Sequence, residues 1–423
     1  MWLCAEGECR SASPESSSLL PRWLLQSRSA YECARSQFDL FDALENNRHF
    51  RYTLRMSDCR PLCTVHLSTA TSWRGGENQI FLLCQGLHAR GQRAIIVAPA
   101  GAPLMERATA AGLETHPLKI RGDWDLIGAW KLARYLKKLR PDILHLHDGH
   151  AILPGRWAAR TLSKEACSVL AHRRTSFTLK SRRKFGGRIS QIIAISQAAK
   201  EKVLEAGIEG DRIAVIHSGL EFKKSLPRDS AEVHDFRARL GIQPQDLLVA
   251  HAAALTGEKR QRDLISAINS CNTNTLKGYS ENNQKPGTVP RVHLVIAGSG
   301  PLEADLKSLA ATLKAEPVIH FLGFCKDLST LWSAADVVAF VSEAEGLCTA
   351  LVEAQGAGLP ALVTRAGGMV EVVDEGVTGR IVPIGGIEEM AAVLTEFARQ
   401  SDLRIAMGRA AQDRAQKLFS VLR

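Results

Sequence analysis

The sequence predicts an α/β protein with two doubly wound parallel-sheet domains. From Leu62 onwards, short apolar segments rich in β-branched residues alternate with amphipathic segments, as the strands and crossover helices of a parallel sheet do. The alternation stops at a polar stretch and then begins again. At 423 residues and 45% hydrophobic composition, the chain can form the two or three cores that this organisation requires.

Four regions and one insertion follow from this pattern. Residues 1–58 lack the alternation and are interpreted as a poorly ordered, dispensable extension, with a regulatory or targeting arm as the alternative. The first domain is expected at 59–222 and the second at 236–423, joined by the linker 223–235. The polar segment 271–290 is predicted to be a surface insertion without a catalytic part.

Each domain is assigned from its hydrophobic periodicity. In the first, strands are predicted at CTVHLST, QRAIIVAPA, ILHLHD, CSVLAHRR, QIIAIS and RIAVIHSG, with helices at IFLLCQGLHARG, LIGAWKLARYLKKLR and QAAKEKVLEAG. The second repeats the pattern with DLLVAHAAA, VHLVIAGSG, VIHFLGF, VVAFV, ALVT and GRIVPI. Open α/β sheets bind ligands at the carboxyl ends of their strands, so the polar residues there are the functional candidates.

Composition excludes several classes of protein. No apolar run reaches the roughly 18 residues that a membrane-spanning helix needs. The ten Cys form no C-x2-C pair, which favours reduced thiols over a zinc or disulfide framework. The start, MWLCAEGECRSASPESS, lacks the basic and apolar regions of a secretory signal. We therefore expect a cytoplasmic location.

The segment VAFVSEAEGLCTALVEAQGAGLPALVT is the most informative part of the chain. It places Glu345 in the loop after a strand and Glu353 about one turn into a helix. The residues between them that would offer backbone amides to an anion are Gly346, Leu347, Cys348 and Thr349. A nucleotide-sugar could use both carboxylates and these amides, although a solvated helix can also carry Glu353.

The string E-G-L-C-T-A-L-V-E resembles the E-x7-E signature of the family 4 retaining glycosyltransferases, which have the GT-B fold of two Rossmann-like domains. The resemblance implies that Glu345 meets the donor sugar and that Glu353 holds the ribose hydroxyls. It implies a nucleotide-diphosphate sugar as donor and a glycan or lipid-linked acceptor, in cell-envelope polysaccharide or lipopolysaccharide synthesis. No cofactor or metal is expected, and no D-x-D motif lies near the site.

Two motifs of the first domain resemble the same family. In the loop R-G-G-E, Gly75 and Gly76 would let backbone amides approach the diphosphate or the acceptor, with an ordinary left-handed turn as the alternative. In PDILHLH, the resemblance implies that His147 faces the cleft and contacts sugar or acceptor, with a structural histidine as the alternative. His145 shares that face and is interpreted as structural. A metal site is disfavoured because no nearby third ligand is visible.

The second domain carries a modified phosphate motif. A-A-L-T-G-E-K-R resembles G-R-L-x-x-x-K-G, in which Arg and Lys neutralise the leaving diphosphate. Lys259 is in register, but Ala254 stands at the Arg position. Losing one such donor costs on the order of 3–4 kcal/mol. We expect Arg260 or Arg262 to replace it.

Three further segments resemble family loops. In GSGPLE, Gly298 and Gly300 would line the nucleotide pocket, and Glu303 replaces the third glycine of a dinucleotide fingerprint. In F-L-G-F, the backbone around Gly323 would contact the base. T-R-A-G-G-M-V-E, ending at Glu371, matches a T-x-x-G-G-x-x-E loop.

The net charge of +10 is unevenly distributed. Residues 172–188 contain seven Lys or Arg and no acidic residue. We interpret Arg173 and Arg174 as acceptor residues that contact a phosphorylated lipid, a lipopolysaccharide core or the anionic inner leaflet of the cytoplasmic membrane. A solvated basic loop is the alternative. Nucleic acid is disfavoured because no recognition motif accompanies the charge.

Two other functions stay open at this point. One is a different GT-B enzyme, a sugar phosphorylase or nucleotide-sugar epimerase. The other is a non-catalytic nucleotide-binding protein, suggested by Ala254 and by the end of the sequence at LFSVLR, where relatives continue into a helix that crosses back onto the first domain.

Overall fold

The computed structural model describes residues 60–179, 182–222, 225–281 and 290–421. The extension 1–58 lies outside the described residues. The strands are β1 (Cys63–Leu67), β2 (Arg93–Ala98), β3 (Glu114–Pro117), β4 (Ile143–Leu146), β5 (Ser168–Arg173), β6 (Gln191–Ala194), β7 (Ile213–Val215), β8 (Leu247–Ala252), β9 (Val292–Ala297), β10 (Ile319–Gly323), β11 (Val337–Phe340), β12 (Ala361–Thr364) and β13 (Gly379–Val382).

Helices connect these strands. They are α1 (Gly75–Ala89), α2 (Pro103–Ala110), α3 (Leu126–Leu139), α4 (Gly149–Ala158), α5 (Gln197–Leu204), α6 (Ala231–Arg239), α7 (Gln261–Glu281), α8 (Glu303–Thr312), α9 (Ser329–Ala334), α10 (Thr349–Gly356), α11 (Met369–Val372), α12 (Ile387–Arg399) and α13 (Ser401–Phe419). Short 3-10 helices lie at Ala159–Thr161, Arg182–Phe185, Gly210–Arg212 and Gly257–Lys259. None of the described helices combines the length and apolarity needed to cross a bilayer.

The strands form two parallel sheets, which confirms the predicted fold class. Their orders are β3-β2-β1-β4-β5-β6-β7 and β10-β9-β8-β11-β12-β13. In each sheet the strand order reverses once, between β1 and β4 and between β8 and β11. Six of the strands, β1, β6, β8, β9, β11 and β12, are buried along their whole length, which is why they are almost continuous apolar runs in the sequence. The half-exposed edge strand β3 has no such run and was not predicted.

Two segments expected to be irregular are structured. The expected insertion begins as helix, because α7 continues through Cys271, which is buried, and the Asn272 side chain bonds both backbone groups of Val292 at 2.9 Å. Residues 282–289 of the insertion lie outside the described part of the chain.

The expected linker is anchored to the second domain. Helix α6 begins inside it, and Arg228 and Arg237 both bind the buried carboxylate of Asp336, at 2.7 and 3.1 Å. The N–H of Leu226 donates to Oγ of Ser333 at 2.9 Å. The polar residues that indicated a linker are therefore partners of the second domain.

The last helix, α13, brings the chain back to the first domain. The N–H of Leu220 donates to the carbonyl of Phe419 at 2.7 Å, and the N–H of Val421 donates to the carbonyl of Leu220 at 3.1 Å. Phe419 is 1% exposed, and its ring lies 5.4 Å from that of His217. The contact with the first domain, which we expected from a helix after LFSVLR, is thus made by the end of α13 and by Val421.

Candidate active site

The candidate residues gather where the strand order of each sheet reverses. Gly75 and His147 follow β1 and β4, and Lys259 and Glu345 follow β8 and β11. The carboxyl ends of strands at such reversal points are the usual ligand sites of open α/β sheets. These four residues therefore lie where ligand binding is expected.

The two domains approach each other closely at this site. A Cβ on Gly346 would lie 2.2 Å from the carbonyl oxygen of Arg174, so glycine alone permits this approach. A Cβ on Gly75 would lie 3.5 Å from Oγ1 of Thr349, which also belongs to the second domain. The start of α10 in the second domain therefore faces the glycine pair of the first.

The glycine pair is the first turn of a helix and not the expected loop. Helix α1 begins at Gly75, and the carboxylate of Glu77 accepts from the N–H of Arg74 at 2.9 Å. This is one half of a capping box, which fixes the helix start. Since first-turn amides have no intrahelical acceptor, they can bind an anion as the sequence suggested.

Lys259 and Glu345 form the charged centre on the second-domain side. Nζ of Lys259 donates to Oε1 of Glu345, and the two side chains are 18% and 14% exposed. Oγ of Ser342 donates to the same oxygen at 3.1 Å, and Oγ1 of Thr364 holds the Ser342 carbonyl at 2.6 Å. Because an ammonium has three N–H donors, Lys259 can hold Glu345 and a phosphate oxygen together.

Helix α10 separates the two carboxylates as predicted. Glu353 is its fifth residue, and no side chain caps its N-terminus, so its first backbone amides have no side-chain acceptor. Burial and the nearby Glu345 raise the pKa of the Cys348 thiol well above its usual range, so the thiol stays neutral. The side chain of Leu347 is 2% exposed and packs in the hydrophobic core.

Arg260 is engaged with two carboxylates. Its Nε donates to Oδ2 of Asp263 at 2.6 Å and its Nη1 donates to Oε2 of Glu343 at 3.4 Å, and the hydrogen bond to Asp263 raises its pKa. Arg262 is exposed on α7, and Ala254 is exposed at the end of β8. Asp263 and Glu343 thus partly neutralise the charge of Arg260. We expected this charge to be available for the diphosphate.

Three glycines assigned to the nucleotide pocket also have a packing role. Gly298 has φ 147°, and a Cβ on it would lie 1.9 Å from the carbonyl oxygen of Ala253. A Cβ on Gly300 would lie 2.5 Å from the carbonyl oxygen of Leu255. The Gly298 N–H donates to the Gly323 carbonyl at 2.7 Å. These contacts hold the loop after β8 against the ends of β9 and β10.

Four histidines lie together on the first-domain side. They are His66 on β1, His145 on β4, His147 just after β4 and His172 on β5. His66 pairs with His145 in the register of β1 and β4, and the rings of His145 and His147 have centroids 3.8 Å apart. Ring nitrogens of His66, His145 and His147 lie within 4.8 Å of one another. The expectation that no third ligand lies nearby is therefore wrong, because His66 is distant in sequence but lies on β1, the neighbour of β4 in the sheet.

Hydrogen bonds fix the tautomers of two of these rings. Arg174 can only donate, so Nδ1 of His147, 3.3 Å from its Nη2, must accept. His147 therefore carries its proton on Nε2 and donates to Nδ1 of His66 at 3.0 Å. His66 then donates from Nε2 to Oγ1 of Thr64 at 3.0 Å. Arg174, His147, His66 and Thr64 form a directed hydrogen-bond chain.

The imidazole rings of His66 and His147, which form the middle of this hydrogen-bond chain, are both neutral. Burial lowers the pKa of His66 to about 4, and burial together with His145 lowers the pKa of His147 well below its usual range. The ring nitrogens are close enough for a metal ion, but both nitrogens of His66 and of His147 already have partners. The guanidinium of Arg174 also opposes a second cation. The geometry therefore favours oriented, uncharged donors and acceptors over a metal site.

Arg174 brings positive charge into this neutral surrounding. Burial lowers its pKa to about 10, and the nearby carboxylates of Glu77 and Asp148 oppose this shift. Arg173, by contrast, donates from Nη2 to the carbonyl of Phe177. Of the two predicted acceptor residues, Arg174 therefore lies against His147 and Arg173 does not.

Several buried nitrogen atoms around the cluster have no hydrogen-bond partner among the described residues. They are Nε2 of His145, both ring nitrogens of His172 and Nε of Arg173 and Arg174. Buried polar atoms in folded proteins are usually paired. These five nitrogen atoms therefore depart from that rule.

Glu371 joins the two domains, a role that sequence reasoning missed. Its carboxylate accepts from the N–H groups of Gln197 and Ala198, at 2.8 and 3.0 Å, in the first turn of α5. It also lies 3.1 Å from Nε2 of His217, and its carbonyl accepts from Arg414 at 3.1 Å. These partners are distant in sequence, so no local signal identifies the contact.

Two parallel-sheet domains whose carboxyl edges carry the candidate residues have the architecture of the GT-B fold. Residues 73–224 match the family model described as Glycosyltransferase Family 4, and residues 232–414 match Glycosyl transferases group 1. The chain belongs to the family 4 glycosyltransferases.

Named relatives agree with this assignment. The N-acetyl-alpha-D-glucosaminyl L-malate synthase of Bacillus anthracis is 24% identical over 306 residues, which cover 70% of this chain and 75% of that protein. The UDP-Gal:alpha-D-GlcNAc-diphosphoundecaprenol alpha-1,3-galactosyltransferase of Escherichia coli is 26% identical over 296 residues, covering 66% and 71%. Several other curated relatives are matched over about half of their length.

A solved structure has the same fold. HepE from Anabaena, determined in complex with UDP-glucose, aligns with a TM-score of 0.70 at 21% identity. The alignment covers 85% of this chain and 96% of HepE.

Proposed function

We propose that this glycosyltransferase moves a sugar from a nucleotide-diphosphate donor to a glycan or lipid-linked acceptor, with retention at the anomeric carbon. The observation that carries the proposal is the Lys259–Glu345 pair at the start of α10. It combines a cation for the diphosphate, a carboxylate for the sugar and helix amides for phosphate oxygens. UDP is the first nucleotide to test, because HepE was solved with UDP-glucose.

Each residue would have a distinct part in the reaction. The bond between the anomeric carbon and the diphosphate oxygen breaks, and the acceptor oxygen bonds to the same face of the sugar while its proton passes to the departing diphosphate. Lys259 and the first amides of α10 would stabilise the charge on that diphosphate. Glu345 would stabilise the positive sugar ring, and Glu353 would bind the ribose hydroxyls. His147 would orient a hydroxyl of the sugar or acceptor.

We further propose a role in cell-envelope polysaccharide or lipopolysaccharide synthesis, at the inner face of the cytoplasmic membrane. The E. coli relative supports this, because its name gives a diphosphoundecaprenol-linked sugar as acceptor. The unpartnered nitrogens around His145 and His172 would suit a polar acceptor headgroup.

Two measurements test this function. Calorimetry with UDP, GDP and ADP reports nucleotide binding, and donor hydrolysis by wild type, Glu345→Ala and the control Glu343→Ala reports turnover. We expect one nucleotide to bind all three proteins and turnover to be lost in Glu345→Ala alone. Absence of binding by every nucleotide would refute the proposal. An inverted anomeric product, read by NMR, would refute retention.

A non-catalytic nucleotide-binding protein is the second candidate. It is favoured by Ala254 at the family's Arg position and by the carboxylates that hold Arg260. Tight nucleotide binding without turnover of any donor, in the presence of varied acceptors, would support it.

A further inference from the structure

The helix α3 begins with a cluster of exposed apolar side chains. Trp124, Leu126, Ile127 and Trp130 are 79, 65, 68 and 56% exposed. They account for four of the eleven large hydrophobic side chains exposed in the described part of the chain, and they lie within seven consecutive positions. The opposite side of the helix packs on the core through Leu132 and other buried residues. These four residues, named here the apolar end, remain mostly exposed, although the ring of Trp124 lies 5.8 Å from that of Trp157.

The same face of α3 continues as a basic surface. Lys131, Arg134, Lys137 and Lys138 are all exposed, and their spacing places them along one side of the helix. The guanidinium of Arg134 lies 4.9 Å from the ring centroid of Trp130, which links this basic end to the apolar end.

The acidic residues next to α3 are already engaged. Asp123 and Asp125 are the two acidic residues between positions 118 and 141. Asp125 caps the helix by accepting from the N–H of Gly128 at 2.8 Å. Asp123 binds Nζ of Lys184 at 2.6 Å and lies 3.2 Å from Nδ1 of His150. The exposed charge of this face is therefore positive.

The basic run 172–188, which the sequence assigned to an anionic partner, is a weaker candidate. Arg174 faces His147, and Arg188 donates to four backbone carbonyls within the first domain. Arg182 and Arg183 are the exposed pair in its 3-10 helix. Most of this charge supports the fold, unlike the charge of α3.

We propose that the face of α3 docks the first domain onto an anionic phospholipid bilayer. Its apolar end suits insertion at the headgroup boundary, where Trp is favoured, and its basic end suits lipid phosphates. The contact of Asp123 with His150 places the start of α3 near His147, at the carboxyl edge of the sheet. Docking would bring the bilayer to the rim of the active site. The link to a lipid-linked acceptor rests on the proposed function, whereas docking itself is measured without donor or acceptor.

Vesicle co-sedimentation of the full chain tests the docking. We expect binding to vesicles of phosphatidylcholine mixed with phosphatidylglycerol and much weaker binding to phosphatidylcholine alone. Lys137→Gln with Lys138→Gln should weaken binding about fivefold for each cation removed. Ile127→Ser with Trp130→Ser should weaken it roughly tenfold or more, since two large apolar side chains leave the bilayer. The matched control is Ile405→Ser with Arg409→Gln, which removes one exposed apolar side chain and one exposed cation from α13.

Three results would overturn the proposal. The first is that wild type binds both kinds of vesicle equally or binds neither. The second is that the α13 control loses as much vesicle binding as the α3 variants do. The third is a concentration-dependent dimer that Ile127→Ser with Trp130→Ser abolishes. The last result would assign the face to a second copy of the chain. Donor hydrolysis in solution should be unchanged in the α3 variants. If hydrolysis is absent in wild type while vesicle binding follows the expected pattern, the proposed function fails and the docking stands.

Discussion

On the first-domain edge of the site, His66 and His147 are uncharged, whereas on the second-domain edge Lys259 and Glu345 form an ion pair. The first edge acts through the direction of its hydrogen bonds, which run from Arg174 through both rings. The second edge offers charge that a leaving diphosphate would need. The first domain thus provides uncharged groups with oriented hydrogen bonds, and the second domain provides the charged groups.

Removing the cation should have the largest effect. Lys259→Ala deletes the donor to Glu345 and is expected to lower kcat by about 10²–10³-fold, as loss of a transition-state donor does. Steady-state kinetics with the nucleotide-sugar identified by calorimetry measures it. Arg260→Ala is the control, because Asp263 and Glu343 already hold that charge. A larger loss in Arg260→Ala would reverse the assignment of the phosphate cation.

Separating the two edges should have the next largest effect. In Gly346→Ala, the new methyl group would lie 2.2 Å from the carbonyl oxygen of Arg174 and would push the domains apart. A displacement of about 1 Å can cost 10²-fold in rate, so we expect kcat to fall by up to that factor. Gly257→Ala, which meets no atom within 4 Å, is the control for kinetics and thermal unfolding. Unchanged kinetics in Gly346→Ala would mean that this closed approach is not needed.

Breaking the directed chain should have a smaller effect. His66→Phe removes the acceptor of the His147 proton, whereas His66→Asn can retain it. We expect kcat to fall about fivefold to tenfold in the Phe variant, the equivalent of one hydrogen bond, with partial rescue by Asn. Nitrogen-15 NMR should place the His147 proton on Nε2 in wild type and detect a mixture of tautomers in His66→Phe. Wild-type spectra with the proton on Nδ1 would contradict the chain.

A further prediction concerns the free energy of unfolding as a function of pH and not the rate. Because burial lowers the pKa of His66 to about 4, the unfolded chain binds more protons below its usual value of 6.5. The free energy of unfolding should therefore fall as pH drops from 6.5 towards 4, by up to about 1.4 kcal/mol per pH unit for this ring. The free energy of unfolding can be measured by urea unfolding at several pH values in this range. It should depend less steeply on pH in His66→Asn than in wild type. An equal slope would mean that His66 is not held neutral by the fold.

Glu371 responds in a different pH range. Burial raises its pKa, but His217 and the two α5 amides more than offset this and hold it below 4.5. Its contribution to stability is thus present above 4.5 and is lost as pH falls through its lower folded value. The decline that begins at pH 6.5 therefore reports the buried histidines and not this carboxylate.

The sequence predicted the fold and the second-domain edge better than the first. Glu345, Glu353 and the start of α10 lie within one short segment, so local pattern was enough to place them. His66 pairs with His147 across 81 positions, and its one sequence signal is a histidine inside an apolar strand. The strand order of the sheet places β1, which carries His66, beside β4. The spacing of the two segments in the sequence does not reveal this order.

Local composition was misleading where tertiary contacts decide the structure. The Asn- and Thr-rich start of the segment 271–290 indicated a loop, yet α7 continues there because Cys271 is buried and Asn272 binds β9. Tertiary packing commonly overrides such weak propensities. Within the basic run 172–188, Arg188 likewise donates to backbone carbonyls of the first domain, a use of its charge that composition alone does not reveal.

The pairing of Leu220 with Phe419 and Val421 also has a mechanical consequence. The chain leaves the first domain near Leu220 and returns to the same place, and the two passages are hydrogen-bonded side by side. The two domains are therefore held at this point by a covalent linker and, beside it, by two hydrogen bonds between the passages. Loss of these two bonds would leave the covalent linker alone to fix the spacing of the domains here.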